Sequence, residues 1–132
     1  MSIVSIVVGI DGSEESLRAL SFSVGLANRE SARVSACFVT HQGVNFGLVS
    51  AVDDEDYAKQ LEQVVYEELK RADVVGSFFH REGDIAHELI RLADEVSANL
   101  IAVGRPKHPV LHVGSVPKRL LEDSRHPVLM VP

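Results

Sequence analysis

The chain has 132 residues, of which 45% are hydrophobic and 24% are charged, and its formal net charge is −6. A chain of this size can form one domain whose core needs no disulfide or metal. The net negative charge and the low aromatic content of 5% disfavour nucleic-acid binding, which needs basic surfaces and stacking platforms. We therefore expect a single domain over residues 1–132 that binds no nucleic acid and no membrane.

The charge is distributed unevenly along the chain. Residues 1–100 carry 8 Lys or Arg and 17 Asp or Glu, whereas residues 101–132 carry 5 Lys or Arg and 2 Asp or Glu. The single cysteine, Cys37, lies within an apolar run and excludes an internal disulfide. No basic leader with an apolar segment is visible, and no apolar run approaches the roughly 20 residues that span a bilayer. These features predict a cytoplasmic protein.

Strand and helix signals alternate through the first half of the chain. The β-branched run Ile3–Ile10 predicts a strand buried on both faces, and Ser13 is placed to cap the following helix. Arg33–Thr40 is the second predicted strand. The loop His41–Val52 then precedes a helix that opens on an acidic run starting at Asp53. Its length, glycines and apolar residues predict a mobile cover over the cleft or, as an alternative, a segment packed on the acidic helix.

The second half continues the alternation. Val74–His80 is the third predicted strand, and Asp84 caps the helix that follows it. Leu100–Val103 is the fourth strand, Ser115–Ser124 a short helix and Val128–Val131 the last strand. Five strands alternating with four helices predict an α/β fold, with one parallel sheet and helices on both faces. Ligands of such sheets bind beyond the carboxyl ends of the strands.

Two glycine-containing loops each follow a strand and open a helix, an arrangement that holds phosphate in α/β proteins. In Asp11-Gly12-Ser13, the carboxylate can accept hydrogen bonds from an adenine amino group or a ribose hydroxyl. In Gly114-Ser115-Val116, backbone amides and a hydroxyl can hold a phosphate. Each loop alone is also explained by a turn and a helix N-cap. Together they predict one cleft of nucleotide size.

Motifs along the whole chain resemble the universal stress protein family. They are the segments Val7–Ser13, Ala93-Asp94, Asn99–Gly104, Gly114–Val116 and His126–Val131. The resemblance implies a Rossmann-like fold, similar to adenine-nucleotide α-hydrolases, with a sheet ordered 3-2-1-4-5. It also implies a stress-response protein in a family of which many members bind ATP, AMP or another adenine nucleotide and others bind none. The only metal ion that it implies is Mg²⁺ bound together with the nucleotide. The family's dimers further imply a homodimer through the last strand, formed by Val128, Leu129, Met130 and Val131.

The resemblance also assigns roles to individual residues, carried over by position. Asp11 and Val39 would contact the adenine side of the ligand, and Gly12 and Ser13 complete the first loop. On the phosphate side, Gly104 would lie near the ribose and the phosphates, which would contact Gly114, Ser115 and Val116.

The loop after the fourth strand departs from the family's pattern of Gly-x2-Gly-x9-Gly-Ser. Lys107 stands at the second glycine position, and the segment between Gly104 and Gly114 is three residues short. Pro106 removes a donor amide. Either Arg105 or Lys107 can supply charge to a phosphate, or their side chains can fill the site themselves.

No grouping of catalytic residues is visible, because the chain lacks a nucleophile elbow and a Walker A sequence. His108, His112 and His126 are interpreted as solvated loop side chains and not as a metal site. We therefore expect a binder or regulator whose nucleotide binding, if present, is weak and depends on Asp11 and Ser115. The alternatives are a dimeric interaction protein with a closed cleft that binds no nucleotide, and a slow nucleotide hydrolase.

Overall fold

A computed structural model describes residues 2–40, 51–107 and 115–132. Within these ranges, five strands alternate with four helices in the predicted order. The strands are β1 (Ser5–Gly9), β2 (Arg33–Thr40), β3 (Gly76–Glu82), β4 (Leu100–Gly104) and β5 (Val128–Val131). The helices are α1 (Glu14–Glu30), α2 (Ala51–Ala72), α3 (Ile85–Glu95) and α4 (Val116–Asp123).

The strands form one parallel sheet in the order β3-β2-β1-β4-β5, which confirms the expected order 3-2-1-4-5. β1 is central, and its Val7 is in register with Ser35 of β2 and Ile101 of β4. The chain adds strands on one side of β1 up to β3 and then crosses to the other side for β4 and β5. The carboxyl ends of β1 and β4 therefore meet at the point where the winding reverses, which is where α/β sheets bind ligands.

Two apolar clusters fill the space between the sheet and its two helix layers. On one face, Ile6 and Val8 of the central strand belong to the cluster shared with α1 and α2. On the other face, Val7 and Ile101 belong to the cluster shared with α3 and α4. Because both faces of β1 are buried, its sequence is a continuous apolar run instead of an alternating one.

The ends of several elements differ from the sequence prediction. β3 covers Gly76–Glu82 and not Val74–His80, because it stays paired with β2 up to the partners Thr40 and Glu82. β1 is shorter than Ile3–Ile10; before it, the Val4 amide donates to the Asn99 side chain at 2.7 Å.

α2 begins at Ala51, two residues before the predicted opening at Asp53, so the last two residues of the predicted loop are helical. The rest of that loop, residues 41–50, lies outside the described residues, and its proposed role as a cover stays a prediction. The residues of α2 that are buried are Ala58, Leu61, Val65 and Leu69. Tyr57 and Val64, although apolar in part or whole, are exposed on the same helix.

Candidate functional site

A cavity of about 590 Å³ opens between the carboxyl ends of β1 and β4. Its volume lies in the range typical of small-molecule sites, roughly 300–1,000 Å³. It brings together most of the site residues predicted from the sequence: Asp11, Ser13, Val39, Gly104, Arg105, Lys107, Ser115 and Val116. Gly12 is not among the lining residues, and Gly114 lies outside the described ones.

The turn after β1 is held by hydrogen bonds among its own residues. The Ser13 amide donates to Asp11 Oδ1 at 2.9 Å, and the Ser16 amide donates to Ser13 Oγ at 3.2 Å. The Asp11 amide in turn donates to Ser16 Oγ at 3.2 Å. Ser13 is therefore the N-cap of α1, as predicted, and the turn is rigid before any ligand arrives.

These bonds also set the charge of Asp11. Partial burial raises the pKa of this carboxyl group, but hydrogen bonds from Ser13 and Ser16 outweigh that effect and hold it below its ordinary value. Asp11 is thus a carboxylate at neutral pH. Its oxygens accept hydrogen bonds, which suits a ligand that presents amino or hydroxyl donors.

Gly12 shapes the turn and does not face the cavity. Its φ is +87°, a conformation that favours glycine, and a Cβ built there would overlap the Tyr57 hydroxyl. That hydroxyl donates to the Asp11 carbonyl at 2.8 Å, and the Tyr57 ring packs edge-on against Phe38 with centroids 5.5 Å apart. The glycine therefore makes room for a contact that ties α2 to the turn.

Gly104 ends β4 where α1 begins. A Cβ built on it would lie 2.5 Å from the carbonyl carbon of Glu15 and 2.7 Å from its oxygen. The absent side chain thus lets the first turn of α1 lie against the end of β4. This packing requires glycine at position 104 whether or not a phosphate lies nearby.

Ser115 is the N-cap of α4, but its side chain makes no capping hydrogen bond. Its carbonyl accepts the Arg119 amide at 3.0 Å, so the backbone of the helix start is in place. Pro117 occupies the first turn, where a missing amide proton costs little. The Ser115 hydroxyl borders the cavity and can bond to a ligand without giving up a cap.

Comparison with known proteins places this architecture in a family. The sequence profile described as the universal stress protein family matches residues 4–132. A universal stress protein of Methanocaldococcus jannaschii is 30% identical over 136 residues, covering 96% of this chain and 80% of the relative. This chain belongs to the universal stress protein family.

Solved structures agree with that assignment. A universal stress protein from Burkholderia pseudomallei is 28% identical with a TM-score of 0.80, and the match covers 98% of this chain and 96% of that one. A universal stress protein solved in complex with cAMP is 26% identical with a TM-score of 0.80, and the match covers 100% and 99% of the two chains. No helix within the described residues is long and apolar enough to cross a membrane.

Universal stress proteins with the glycine pattern described above carry glycine where this chain has Lys107. Lys107 Nζ lies 3.7 Å from Glu15 Oε1, at the mouth of the cavity. Arg105 lines the cavity too, while its amide donates to the Val131 carbonyl of β5 at 2.7 Å. Both basic residues predicted at the phosphate side are thus at the cleft, and one of them is paired with a carboxylate.

Several lining residues were not singled out from the sequence, among them Glu15, Ser16, Cys37, Ile85 and Leu89. Glu15 and Ser16 follow the predicted cap by two and three residues, so the local motif could have indicated them. Cys37 lies on the cavity floor, and burial raises the pKa of its thiol to about 12. A thiol of this kind stays protonated at neutral pH.

The histidines form no metal site within the part of the chain that the structure describes, where no group of three metal-ligating side chains is present. His108 and His112 lie outside the described residues. His126 is not a solvated loop side chain, as the sequence had suggested. Its Nε2 is 2.7 Å from Asp94 Oδ1 and its Nδ1 is 2.8 Å from the Ala98 carbonyl, so it joins the start of β5 to the end of α3.

Proposed function

We propose that this universal stress protein binds an adenine nucleotide in the cleft between β1 and β4 and acts as a stress-response regulator. The observation that carries the proposal is the cavity itself. Asp11 and Val39, to which the family resemblance assigns the adenine, and Ser115 and Val116, to which it assigns the phosphates, all line this one cavity. The relative solved with cAMP supports the same ligand class.

The experiment is calorimetric titration with AMP and with ATP, each with and without Mg²⁺. We expect weak binding of AMP, with a Kd on the order of 100 μM, because the loop lacks the second glycine and three residues of the family's pattern. Asp11→Ala and Ser115→Ala should each raise the Kd at least about threefold.

The matched controls are the same two substitutions, Asp to Ala and Ser to Ala, made at residues outside the cavity. Asp56→Ala on α2 and Ser21→Ala on α1 alter exposed residues that do not line the cavity, and should leave the Kd unchanged. Absorbance of the purified protein adds a second readout, since the chain has no Trp and only two Tyr. Absence of heat and of any melting shift at millimolar nucleotide would overturn the proposal and favour the interaction protein with a closed cleft.

A binding role is supported over the slow hydrolase by the state of the side chains in the cleft. The Cys37 thiol is protonated at neutral pH and is therefore not an activated nucleophile, and the Ser13 hydroxyl caps α1 by accepting the Ser16 amide. Incubation of ATP and Mg²⁺ with the protein should therefore release phosphate no faster than the buffer alone. Release that is abolished by Asp11→Ala would favour the hydrolase.

We propose in addition that the protein forms a homodimer through β5. This strand pairs with β4 on one side and ends the sheet on the other. Met130 on it is 48% exposed, and Leu121 of α4 is also exposed, so an apolar strand edge would meet water in the monomer. Pairing with the same edge of a second copy would cover it in an isologous contact.

Light scattering tests the dimer. Wild type should have the mass of two chains at micromolar concentration, and Met130→Lys should shift it toward one chain. Tyr66→Lys, at an exposed residue of α2 away from β5, is the control. A monomeric wild type would refute this part of the proposal and leave the nucleotide proposal standing.

A further inference from the structure

The charged side chains around the described part of the cleft bear on how much phosphate it can hold. Among the described lining residues, the charged ones are Asp11, Glu15, Arg105 and Lys107, two acidic and two basic. A polyphosphate brings several negative charges to such a site, and a single phosphate brings one or two. The positions of these four charged groups, and not only their net charge, then decide which ligand is favoured.

Glu15 is a carboxylate held inside the cleft. Its side chain is only 12% exposed, whereas that of its neighbour Glu14 is 80% exposed. A hydrogen bond from its own backbone, together with the nearby charges of Lys107 and Arg18, lowers its pKa below the ordinary value. The close contact with Gly104 holds the backbone of Glu15 against the end of β4, so its side chain begins at the edge of the cleft.

The cations near the cleft are already engaged, with one exception among the residues described. Lys107 is paired with Glu15, and Arg18 contacts Glu14 and Glu15 while its Nε donates to the Pro132 carbonyl at 2.8 Å. Arg119 is paired with Asp84.

Within the described ranges, the guanidinium of Arg105 makes no ion pair. Its planar set of donors matches the oxygens of one phosphate group in a bidentate contact.

We propose that the cleft selects nucleotides with a single phosphate group over polyphosphates, with Arg105 binding that phosphate and Glu15 opposing further negative charge. This inference rests on the proposed function and names the ligand class of the same site. Glu15 is a specificity-determining residue: a second or third phosphate would have to approach its carboxylate or compete for Lys107.

The test is titration with AMP and ATP, first in EDTA and then with Mg²⁺, on a charge series of variants. Wild type should bind AMP at least about tenfold more tightly than ATP. Glu15→Gln should reduce this preference by about threefold or more, and Lys107→Ala should increase it. The double variant Glu15→Gln/Lys107→Ala restores the net charge and should return the preference toward that of wild type.

Controls separate a local effect from net charge. Glu14→Gln removes the same charge one residue away but outside the cavity, and should leave the AMP-to-ATP preference unchanged. Arg105→Gln should weaken AMP binding about tenfold. Arg125→Gln, an exposed basic residue that does not line the cavity, should not. Melting curves without ligand confirm that each variant is folded.

The outcomes are distinguishable. Tighter binding of ATP than of AMP by wild type overturns this inference and leaves the proposed function intact. Equal effects of Glu14→Gln and Glu15→Gln on the preference also overturn it, because they would show a response to overall charge alone. Failure of both AMP and ATP to bind wild type would overturn the proposed function and this inference with it.

Discussion

Ser13 and Ser115 both begin helices at the rim of the cleft, but only Ser13 uses its side chain to cap its helix. Around Ser13 the polar groups are bonded to one another, and Tyr57 adds a hydrogen bond from α2. Around Ser115 the hydroxyl makes no cap bond, and the nearby Arg105 guanidinium makes no ion pair with the described residues.

This difference between Ser13 and Ser115 indicates that the two side chains contribute differently to stability and to ligand binding. Groups that already bond within the protein contribute to folding and gain little from a ligand, whereas uncommitted groups contribute little to folding and gain most on binding. We therefore expect loss of the Ser13 hydroxyl to lower the free energy of unfolding, and loss of the Ser115 hydroxyl to lower mainly the affinity for a ligand.

Cys37 gives the largest expected effect, because it lies on the floor between the two loops. It is 1% exposed, and the pKa of its thiol is raised to about 12. At pH 8 its reaction with a disulfide reagent should be roughly a hundredfold slower, or more, than that of an unfolded chain, because only the thiolate attacks and its greater nucleophilicity offsets part of its scarcity. A fast reaction in the folded protein, measured against a denatured control, would contradict the burial of the thiol between the two loops.

Gly104→Ala should be next in size. The added Cβ would meet the backbone of Glu15, so we expect the free energy of unfolding to fall by about 2–4 kcal/mol, measured by denaturant unfolding. Gly25→Ala is the control: nothing lies within 4 Å of its Cβ position on α1, and it should stabilise the protein by up to about 1 kcal/mol. A neutral Gly104→Ala would contradict the tight contact between α1 and β4.

The paired variants Ser13→Ala and Ser115→Ala test the comparison itself. Loss of the Ser13 cap should lower the free energy of unfolding by about 1 kcal/mol, whereas Ser115→Ala should change it by less than about 0.5 kcal/mol. Thermal and denaturant unfolding of both variants without ligand measure this. Equal decreases in the free energy of unfolding would show that the Ser115 side chain also stabilises the fold.

The smallest effect concerns acid stability at the first loop. The pKa of Asp11 is lowered in the folded protein, so its contribution to stability is present above the unfolded value and is lost as pH falls through the folded value. Wild type should exceed Asp11→Asn in free energy of unfolding by less than about 1 kcal/mol at pH 7, because the carboxylate is exposed to screening. The difference should shrink below about pH 4. A constant difference from pH 7 to pH 3 would contradict this account.

Much of the fold followed from local signals. The apolar runs of β1 and β4 and the caps at Ser13 and Asp84 predicted the alternation of strands and helices. The limits of β3 were misplaced by two residues, because an edge strand has weak apolar patterning and its length is set by pairing with β2. Pairing of this kind is not visible within the strand's own sequence.

The candidate site was predictable only where its chemistry lies in short motifs. Asp11 and Ser115 stand in glycine-containing loops that the sequence indicates directly. Glu15 enters the cleft because Gly104 lets α1 approach β4, and Tyr57 reaches the first loop from a helix more than 40 residues away. The local motif indicates that Glu15 stands near the cap, but its approach to β4 and the contact of Tyr57 with the loop depend on tertiary packing.

Arg105 contributes both to the cleft and to the sheet, because its amide donates a hydrogen bond to Val131. Its side chain borders the cleft, and its backbone completes the ladder that holds the outermost strand. If that strand also joins two copies of the chain, ligand binding in the cleft and dimer formation both involve Arg105. Any factor by which a ligand strengthened or weakened association would then equal the factor by which association changed the affinity for that ligand. With such coupling, the apparent affinity for a ligand would vary with protein concentration, and the fraction of dimer would vary with ligand concentration.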